Sequence, residues 1–226
     1  MRELLENYIA RPVYKGIKKV FGGYMVKRAV QRNLTSGIPC KIVIGASGVS
    51  QQGWIPTEES ESLNILKPGD WKKYFHDGQV DAMLAEHVWE HLTREQGSRA
   101  AAMCFQYLKL GGYIRVAVPD GLHPDPGYIE QVKVGGLDNQ RFAASTGSED
   151  AGHKILYTYK TLAEVFQSAG FRVDLLEYFD EQGKFHSKEW HPADGMVHRS
   201  KRFDGRNRAR TLNYTSIILD AWKDAV

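Results

Sequence analysis

The sequence predicts an α/β protein built on a mostly parallel sheet, and two stretches of the chain predict it. Residues 41–44 are a short β-branched run that ends in the small residues 45–48, which is typical of a buried strand followed by a tight turn. Further along, an apolar run at 80–85, a helical pattern at 93–110 ended by a glycine pair, and a second run at 113–120 give the order strand, helix, strand. Because such crossovers are right-handed and join parallel strands, this order indicates a βαβ unit.

Composition indicates an ordinary globular protein. The 226 residues suit one domain of generous size, and the 42% hydrophobic and 25% charged residues are close to globular averages. The first residues lack the apolar core of a secretory signal, and no apolar run approaches the roughly 20 residues that span a bilayer. We therefore expect a cytoplasmic protein. Cys40 and Cys104 match neither a disulfide framework nor a metal-binding spacing, which predicts two small buried side chains.

The remaining elements follow in chain order. Residues 1–36 carry an irregular apolar pattern broken by glycines, which predicts an N-terminal extension of one or two short amphipathic helices; the rest of the chain, 37–226, is the main domain. Residues 63–66 form a candidate short strand. A helix is expected over 158–169, with Thr158 or Thr161 near its N-cap.

Two further strands are predicted at 171–178 and 215–222. Only a loop-rich segment separates them, so we expect them to pair antiparallel. That segment, here called the basic segment (183–211), mixes aromatic and cationic residues. It is consistent with RNA binding by stacking and phosphate contact, but we favour contact with an anionic small-molecule or glycan substrate. Another long loop, 121–153, is rich in Gly, Pro, Asp and Ser, and loops of this length are usually functional.

The small-residue turn after the first strand predicts a nucleoside site. Small side chains let backbone N–H groups approach a ligand closely, and an acid at the end of the next strand can accept hydrogen bonds from ribose hydroxyls. Glu58, which follows a Gly-Trp-Ile-Pro-Thr run, stands where that acid is expected.

Three ordered motifs carry a family resemblance. The first is G-A-S-G at 45–48 with G-W at 53–54, the second is D-A-M-L-A-E-H-V-W-E-H-L at 81–92, and the third is L-K-L-G-G at 108–112. Together they resemble the class I S-adenosylmethionine-dependent methyltransferases, specifically small members with an H-V-x-E-H-L signature. The resemblance covers nearly the whole chain from Lys41 to Trp222.

The resemblance implies a Rossmann-like, doubly wound sheet of seven strands, mostly parallel with an antiparallel last strand. It also implies an S-adenosylmethionine cofactor across the carboxyl ends of the first strands and methyl transfer to an unidentified small-molecule, glycan or lipid-linked acceptor. Carried over by position, the cofactor residues are Gly45, Ala46, Ser47 and Gly48 beneath the cofactor, Glu58 at the ribose, Asn64 and Ile65 at the adenine, and Glu86 and His87 at the sulfonium.

Methyl transfer from a sulfonium is a displacement that depends mainly on positioning, with a base needed only when the acceptor carries a proton. The candidates for that base are His87, Asp120, His123 and His153. The lid over the substrate is expected from the N-terminal helices and the loop 121–153.

The sequence also suggests three other interpretations. Residues 87–91 spell H-x-x-E-H, an inverted zinc-protease motif, but a strand that ends at 85 and a helix that starts near 93 leave no long helix for it, so no metal site is predicted. Val43 stands where many family members carry an acid or amide, and Ser47 replaces a glycine. These departures favour the alternative of a catalytically silent methyltransferase-fold protein that binds nucleic acid or a protein partner. A nicotinamide-dependent dehydrogenase is disfavoured because the turn is not G-x-G-x-x-G.

Overall fold

A computed structural model describes residues 11–148, 152–207 and 212–224 of the protein. Its centre is one sheet of seven strands, in the spatial order β2-β1-β3-β4-β7-β5-β6. The strands are β1 (Lys41–Ile44), β2 (Ile55–Thr57), β3 (Val80–Glu86), β4 (Leu108–Pro119), β5 (Arg172–Phe179), β6 (Phe185–Ser187) and β7 (Ser216–Trp222).

Five of the strands run in one direction. β1 pairs in parallel with β2 and β3, and β3 pairs in parallel with β4. The last strand, β7, lies antiparallel between β4 and β5, and β6 lies antiparallel on the outer edge of β5. The predicted seven-stranded, mostly parallel sheet with an antiparallel last strand is confirmed, as is the antiparallel pairing of β5 with β7.

The helices lie before, between and after these strands. They are α1 (Arg11–Thr35), α2 (Pro68–Trp71), α3 (Arg94–Tyr107), α4 (Pro126–Val132), α5 (Leu137–Thr146) and α6 (Tyr159–Ser168). The N-cap prediction for α6 is confirmed, because Thr158 and Thr161 form a reciprocal capping box. Within the described residues, none of these helices is both long and apolar enough to cross a bilayer, and the cytoplasmic location stays a prediction.

The predicted strand at 63–66 is wrong. Asn64 turns the backbone there, because its side-chain oxygen accepts the N–H of Leu66 at 2.9 Å and its own N–H donates to Asp70. The seventh strand is β6 instead, which forms a tight hairpin with β5. Asp180 builds the turn of that hairpin by accepting the N–H groups of Gln182 and Lys184, both at 2.9 Å.

The described part of the N-terminal extension is longer than the one or two short helices expected. Residues Arg11–Thr35 form a single 25-residue helix, α1, which continues through Gly22 and Gly23, and residues 1–10 lie outside the described residues. A Cβ at Gly22 would lie 3.0 Å from the carbonyl oxygen of Glu61, and a Cβ at Gly23 would lie 2.9 Å from the hydroxyl of Tyr74. These glycines therefore let the helix pack closely on the domain rather than end it. The domain boundary at 36 stays a prediction.

Helix α3 ends at Tyr107, three residues earlier than predicted, because the chain already joins the sheet at Leu108. Leu108 pairs with Val80, and the N–H of Gln79 donates to the carbonyl of Tyr107 at 2.9 Å. The glycine pair 111–112 consequently lies inside β4 rather than between helix and strand.

The sheet is covered differently on its two faces. One face packs against the helices in the larger core, which includes the buried, unpaired Cys40 and Cys104 as predicted. On the other face, Val197 and Trp190 of the basic segment pack in a smaller core. Arg115 of β4 is buried there in an ion pair with Asp220 of the neighbouring strand β7, and it also donates to the carbonyl of Gly195 at 2.8 Å. This hydrogen bond attaches the basic segment to the sheet.

Candidate functional site

Two cavities meet at the carboxyl ends of β1 and β3. The smaller has a volume of about 510 Å³ and the larger about 910 Å³. Both fall in the range of ligand pockets, roughly 300–1,000 Å³. The residues that line both are Gly45, Ser47, His87 and His91. A ligand in one cavity can therefore meet a ligand in the other at these four residues.

The turn after β1 has a backbone that few side chains tolerate. Gly45, Ser47 and Gly48 have φ values of +64°, +48° and +80°. A Cβ at Gly45 would also lie 2.9 Å from Cγ2 of Val88. Glycine at 45 is therefore required by both conformation and space. The N–H of Ala46 in this turn donates to the carbonyl of Thr57 at 3.0 Å, so the turn is tied to the end of β2.

Glu58 fills the position that the sequence predicts for it. Its carboxylate accepts the backbone N–H of Ser47, so the end of β2 is tied to the turn after β1. The hydroxyl of Ser62 accepts the N–H of Glu58 at 2.9 Å and fixes the backbone below the side chain. Burial raises the pKa of Glu58 above its ordinary value, while the hydrogen bond from Ser47 acts in the opposite direction. The carboxylate lines the smaller cavity.

The rest of the smaller cavity is mainly apolar. Asn64 lies on its edge, where its amide donates to Glu59 at 2.8 Å. The apolar side chains that line it are Ile44, Leu63, Ile65, Leu66, Val88 and Leu92. The predicted cofactor residues Gly45, Ser47, Glu58, Asn64, Ile65 and His87 thus share one cavity. Ala46 and Glu86 line the larger cavity instead, and Gly48 lines neither.

Glu86 is engaged with the basic segment. Its carboxylate accepts the backbone N–H groups of His198 at 3.1 Å and Arg199 at 2.8 Å. These bonds join the end of β3 to the wall of the larger cavity. Glu86 consequently positions that wall in addition to any contact with a cofactor.

His87 lies at the junction of the two cavities with its backbone at φ +56°. Its Nε2 is 3.0 Å from the hydroxyl of Ser216, and its Nδ1 is 2.9 Å from Oε1 of Glu90. Burial lowers the pKa of His87 well below its ordinary value. A neutral imidazole of such low basicity is a weak proton acceptor, so His87 is better suited to holding a ligand than to removing its proton.

His153 lines the larger cavity, as a base candidate should. Its Nδ1 is bonded to the carbonyl of Val132 at 2.7 Å, and its ring packs edge to face on His91 at a centroid distance of 5.0 Å. His91 is a site residue that the sequence analysis did not select, although the H-V-x-E-H-L signature contains it.

Asp120 and His123 line neither cavity. The carboxylate of Asp120 is fully buried and accepts the N–H groups of Leu122 and Phe179, while its own N–H donates to the hydroxyl of Tyr128. Burial raises the pKa of Asp120 to about 6. His123 stacks on Tyr128 at a centroid distance of 4.0 Å. Both residues hold together the loop that follows β4, and their catalytic role stays a prediction.

The larger cavity has walls that sequence motifs did not reveal. One comes from α4 and α5, contributing Gln131, Asp138, Arg141, Phe142 and Ser145. The other comes from the basic segment, contributing Met196, His198, Arg199, Phe203, Asp204, Gly205 and Arg206. Part of 121–153 therefore lines the larger cavity, whereas no described side chain of α1 lines either cavity. The lid over a substrate stays a prediction. In the sequence, the cationic pattern of the basic segment indicated a binding surface there and could have predicted this second wall.

Likeness to known proteins is found among solved structures. No family model matches the sequence, and no curated protein matches it. The sheet has the antiparallel last strand that the resemblance implies. The fold is Rossmann-like. Many of the solved structures that match it are S-adenosylmethionine-dependent methyltransferases.

Three of these structures illustrate the likeness. A methyltransferase from Archaeoglobus fulgidus has 15% identity and a TM-score of 0.42, over 88% of this chain and 92% of that one. One from Methanosarcina mazei has 11% identity and a TM-score of 0.43, over 85% and 98%. Human N-acetylserotonin methyltransferase, solved with S-adenosylmethionine, has 14% identity and a TM-score of 0.40, over 85% and 43%.

Proposed function

We propose that this protein is a class I S-adenosylmethionine-dependent methyltransferase that holds its cofactor in the smaller cavity and its acceptor in the larger one. The observation that carries the proposal is the position of Glu58. A half-buried carboxylate beside a turn of small residues, at the carboxyl edge of a parallel sheet, is suited to accept hydrogen bonds from the two hydroxyls of a ribose. In this arrangement the cofactor hydroxyls compete with the N–H of Ser47 for the carboxylate.

The adenine would lie against the apolar part of the smaller cavity, next to Asn64 and Ile65. Burying a planar base among aliphatic side chains is favourable because it removes apolar surface from water. The methionine part would then extend over Gly45 and Ser47 towards His87. This places the sulfonium where the two cavities join.

The acceptor would approach from the larger cavity. Its walls alternate cationic and acidic groups: Arg206 is paired with Asp204 at 2.6 Å, and Arg141 with Asp138 at 3.3 Å. Such a surface favours a polar small-molecule, glycan or lipid-linked acceptor over an apolar one. Since the displacement itself needs alignment more than acid–base help, the walls contribute by orienting the acceptor atom.

Calorimetric titration with S-adenosylmethionine and S-adenosylhomocysteine tests the proposal. We expect both to bind, and Glu58→Ala to weaken each by about 10- to 100-fold, as for loss of a charged hydrogen bond. Glu58→Gln keeps the size of the side chain and removes its charge, while Glu95→Ala removes an exposed carboxylate from the start of α3 as the matched control.

Two outcomes would count against the proposal. Failure of folded wild-type protein to bind either compound would favour the catalytically silent binding protein. Equal affinities of the Glu58→Ala and Glu95→Ala variants would remove Glu58 from the cofactor site.

A further inference from the structure

Three side chains converge beside the larger cavity. Glu90, His91 and His153 each offer one oxygen or nitrogen atom, and these three atoms all lie within 4.8 Å of one another. His91 and His153 also line the larger cavity. Two imidazoles and one carboxylate are a set that binds divalent transition metals in proteins.

Both imidazoles are arranged as metal ligands usually are. Nδ1 of His91 lies 3.2 Å from the carbonyl of Gly152, and Nδ1 of His153 lies 2.7 Å from the carbonyl of Val132. A carbonyl only accepts, so each Nδ1 carries the proton and donates it. The lone pair of each ring is then on Nε2. Histidines that bind metals typically donate their other ring N–H to such an acceptor, which fixes the tautomer and the ring orientation.

The carboxylate of Glu90 lacks the partners that a buried acid normally has. The residue is 1% exposed, and neither of its oxygens has a hydrogen-bond partner among the described residues. Its near polar neighbour is Nδ1 of His87, 2.9 Å away but without the alignment of a hydrogen bond. Leaving a buried carboxylate unbonded is costly, so a group that is bound there would relieve a real deficit.

The backbone holds the cluster together. Residues Trp89–His91 form a single 3-10 turn, and the carbonyl of Glu90 accepts the N–H of Lys154 at 2.7 Å. This bond pins the segment that carries His153 beside Glu90. The inverted-protease arrangement is not formed, because the turn is too short for it and Nε2 of His87 contacts Ser216 instead. His153, distant in sequence, takes the place that the motif gives to His87.

We propose that Glu90, His91 and His153 bind a divalent transition metal, with zinc as the expected ion and an open coordination position facing the larger cavity. Zinc–ligand distances of about 2.0–2.2 Å require the three atoms to close by roughly 1 Å, a movement within reach of side-chain rotation. Imidazole ligands favour zinc over magnesium or calcium, which prefer oxygen. The open position lets an oxygen or nitrogen atom of a bound molecule complete the coordination.

Titration of chelator-treated, tag-free protein with zinc alone tests this site. We expect one zinc per chain by calorimetry, and visible absorption of bound cobalt(II) in the parallel titration. His153→Ala and Glu90→Gln should each weaken zinc binding at least 100-fold. His198→Ala is the matched control, because His198 lines the same cavity outside the cluster, and its zinc affinity should equal that of the wild type.

Circular dichroism shows whether each variant is folded. If His153→Ala does not fold, Glu90→Gln still tests the site, because it preserves the shape of the side chain. Absence of zinc binding by folded wild-type protein overturns the site, as does a loss in His198→Ala equal to that in the cluster variants. Because the zinc titration contains no S-adenosylmethionine, its outcome is independent of the outcome for the cofactor.

Discussion

The carboxyl ends of β3 and β4 are neighbours in the sheet, and both lead into buried polar residues, but they differ in how those residues are satisfied. After β4, Asp120 accepts two backbone N–H groups and supports the loop over it. After β3, Glu90 is equally buried yet has no hydrogen-bond partner among the described residues, and the next residue, His91, lines both cavities. Buried polar groups with hydrogen-bond partners stabilise the fold, whereas buried polar groups without partners next to a cavity are available to a ligand.

The largest expected effect concerns Asp120, the hydrogen-bonded carboxylate after β4. Asp120→Ala removes the acceptor for the N–H groups of Leu122 and Phe179. Each buried donor left without a partner costs about 1–3 kcal/mol, so the free energy of unfolding should fall by about 4 kcal/mol in urea denaturation. The affinity of the remaining folded protein for S-adenosylmethionine should not change. A loss below about 1 kcal/mol, or a loss of cofactor affinity at full stability, would contradict the structural role of Asp120.

The second prediction concerns the pH dependence of stability that Glu90, the unbonded carboxylate after β3, confers. Burial raises the pKa of Glu90 from 4.5 to about 7, so the folded state binds more protons than the unfolded state between these values. The contribution of Glu90 to stability is therefore lost as the pH rises from about 4.5 to about 7, by about 3 kcal/mol in total. Burial lowers the pKa values of His87, His91 and His123, which gives the opposite dependence of stability on pH. The informative quantity is therefore the difference in unfolding free energy between wild type and Glu90→Gln.

That difference is measured by urea denaturation in the presence of a chelator at pH 5 and pH 8. Relative to Glu90→Gln, the wild type should lose about 2.5 kcal/mol between the two pH values, because part of the total loss has already occurred at pH 5. A difference in unfolding free energy that does not vary with pH would show that the pKa of Glu90 is not raised. Asp120 offers a second comparison, because burial raises its pKa only to about 6. The stability that protonated Asp120 contributes is therefore lost at a lower pH than that of Glu90.

The smallest expected effect concerns the turn after β1, where two glycine variants separate backbone strain from steric contact. Gly45→Ala places a Cβ at positive φ and 2.9 Å from Val88, and it should cost about 2 kcal/mol of unfolding free energy. Gly48→Ala has the same kind of backbone but no atom within 4 Å of the new Cβ, so about 1 kcal/mol is expected. Equal losses in thermal or urea unfolding would mean that the contact with Val88 is relieved without cost.

Most of the fold could be predicted because its signals are local. The β-branched run at 41–44 and the capping threonine at 158 each act on their own neighbours. The strand predicted at 63–66 failed because Asn64 bonds to its neighbouring backbone and to Asp70, which outweighs the apolar pattern. The edge strand β6 was missed because three residues give too short a period to detect.

The sequence alone predicted the parts of the candidate site that lie within one motif: the turn at 45–48, the acid at Glu58, and the pair Glu86 and His87. Tertiary structure decided everything that needs two distant segments to meet. It removed Asp120 and His123 from the cavities by satisfying or packing them. It also brought His153 to Glu90 and His91 through a backbone bond at Lys154. The reason is physical: propensity and turn chemistry act over a few residues, whereas the burial and pairing of a polar group depend on which segments the fold brings together.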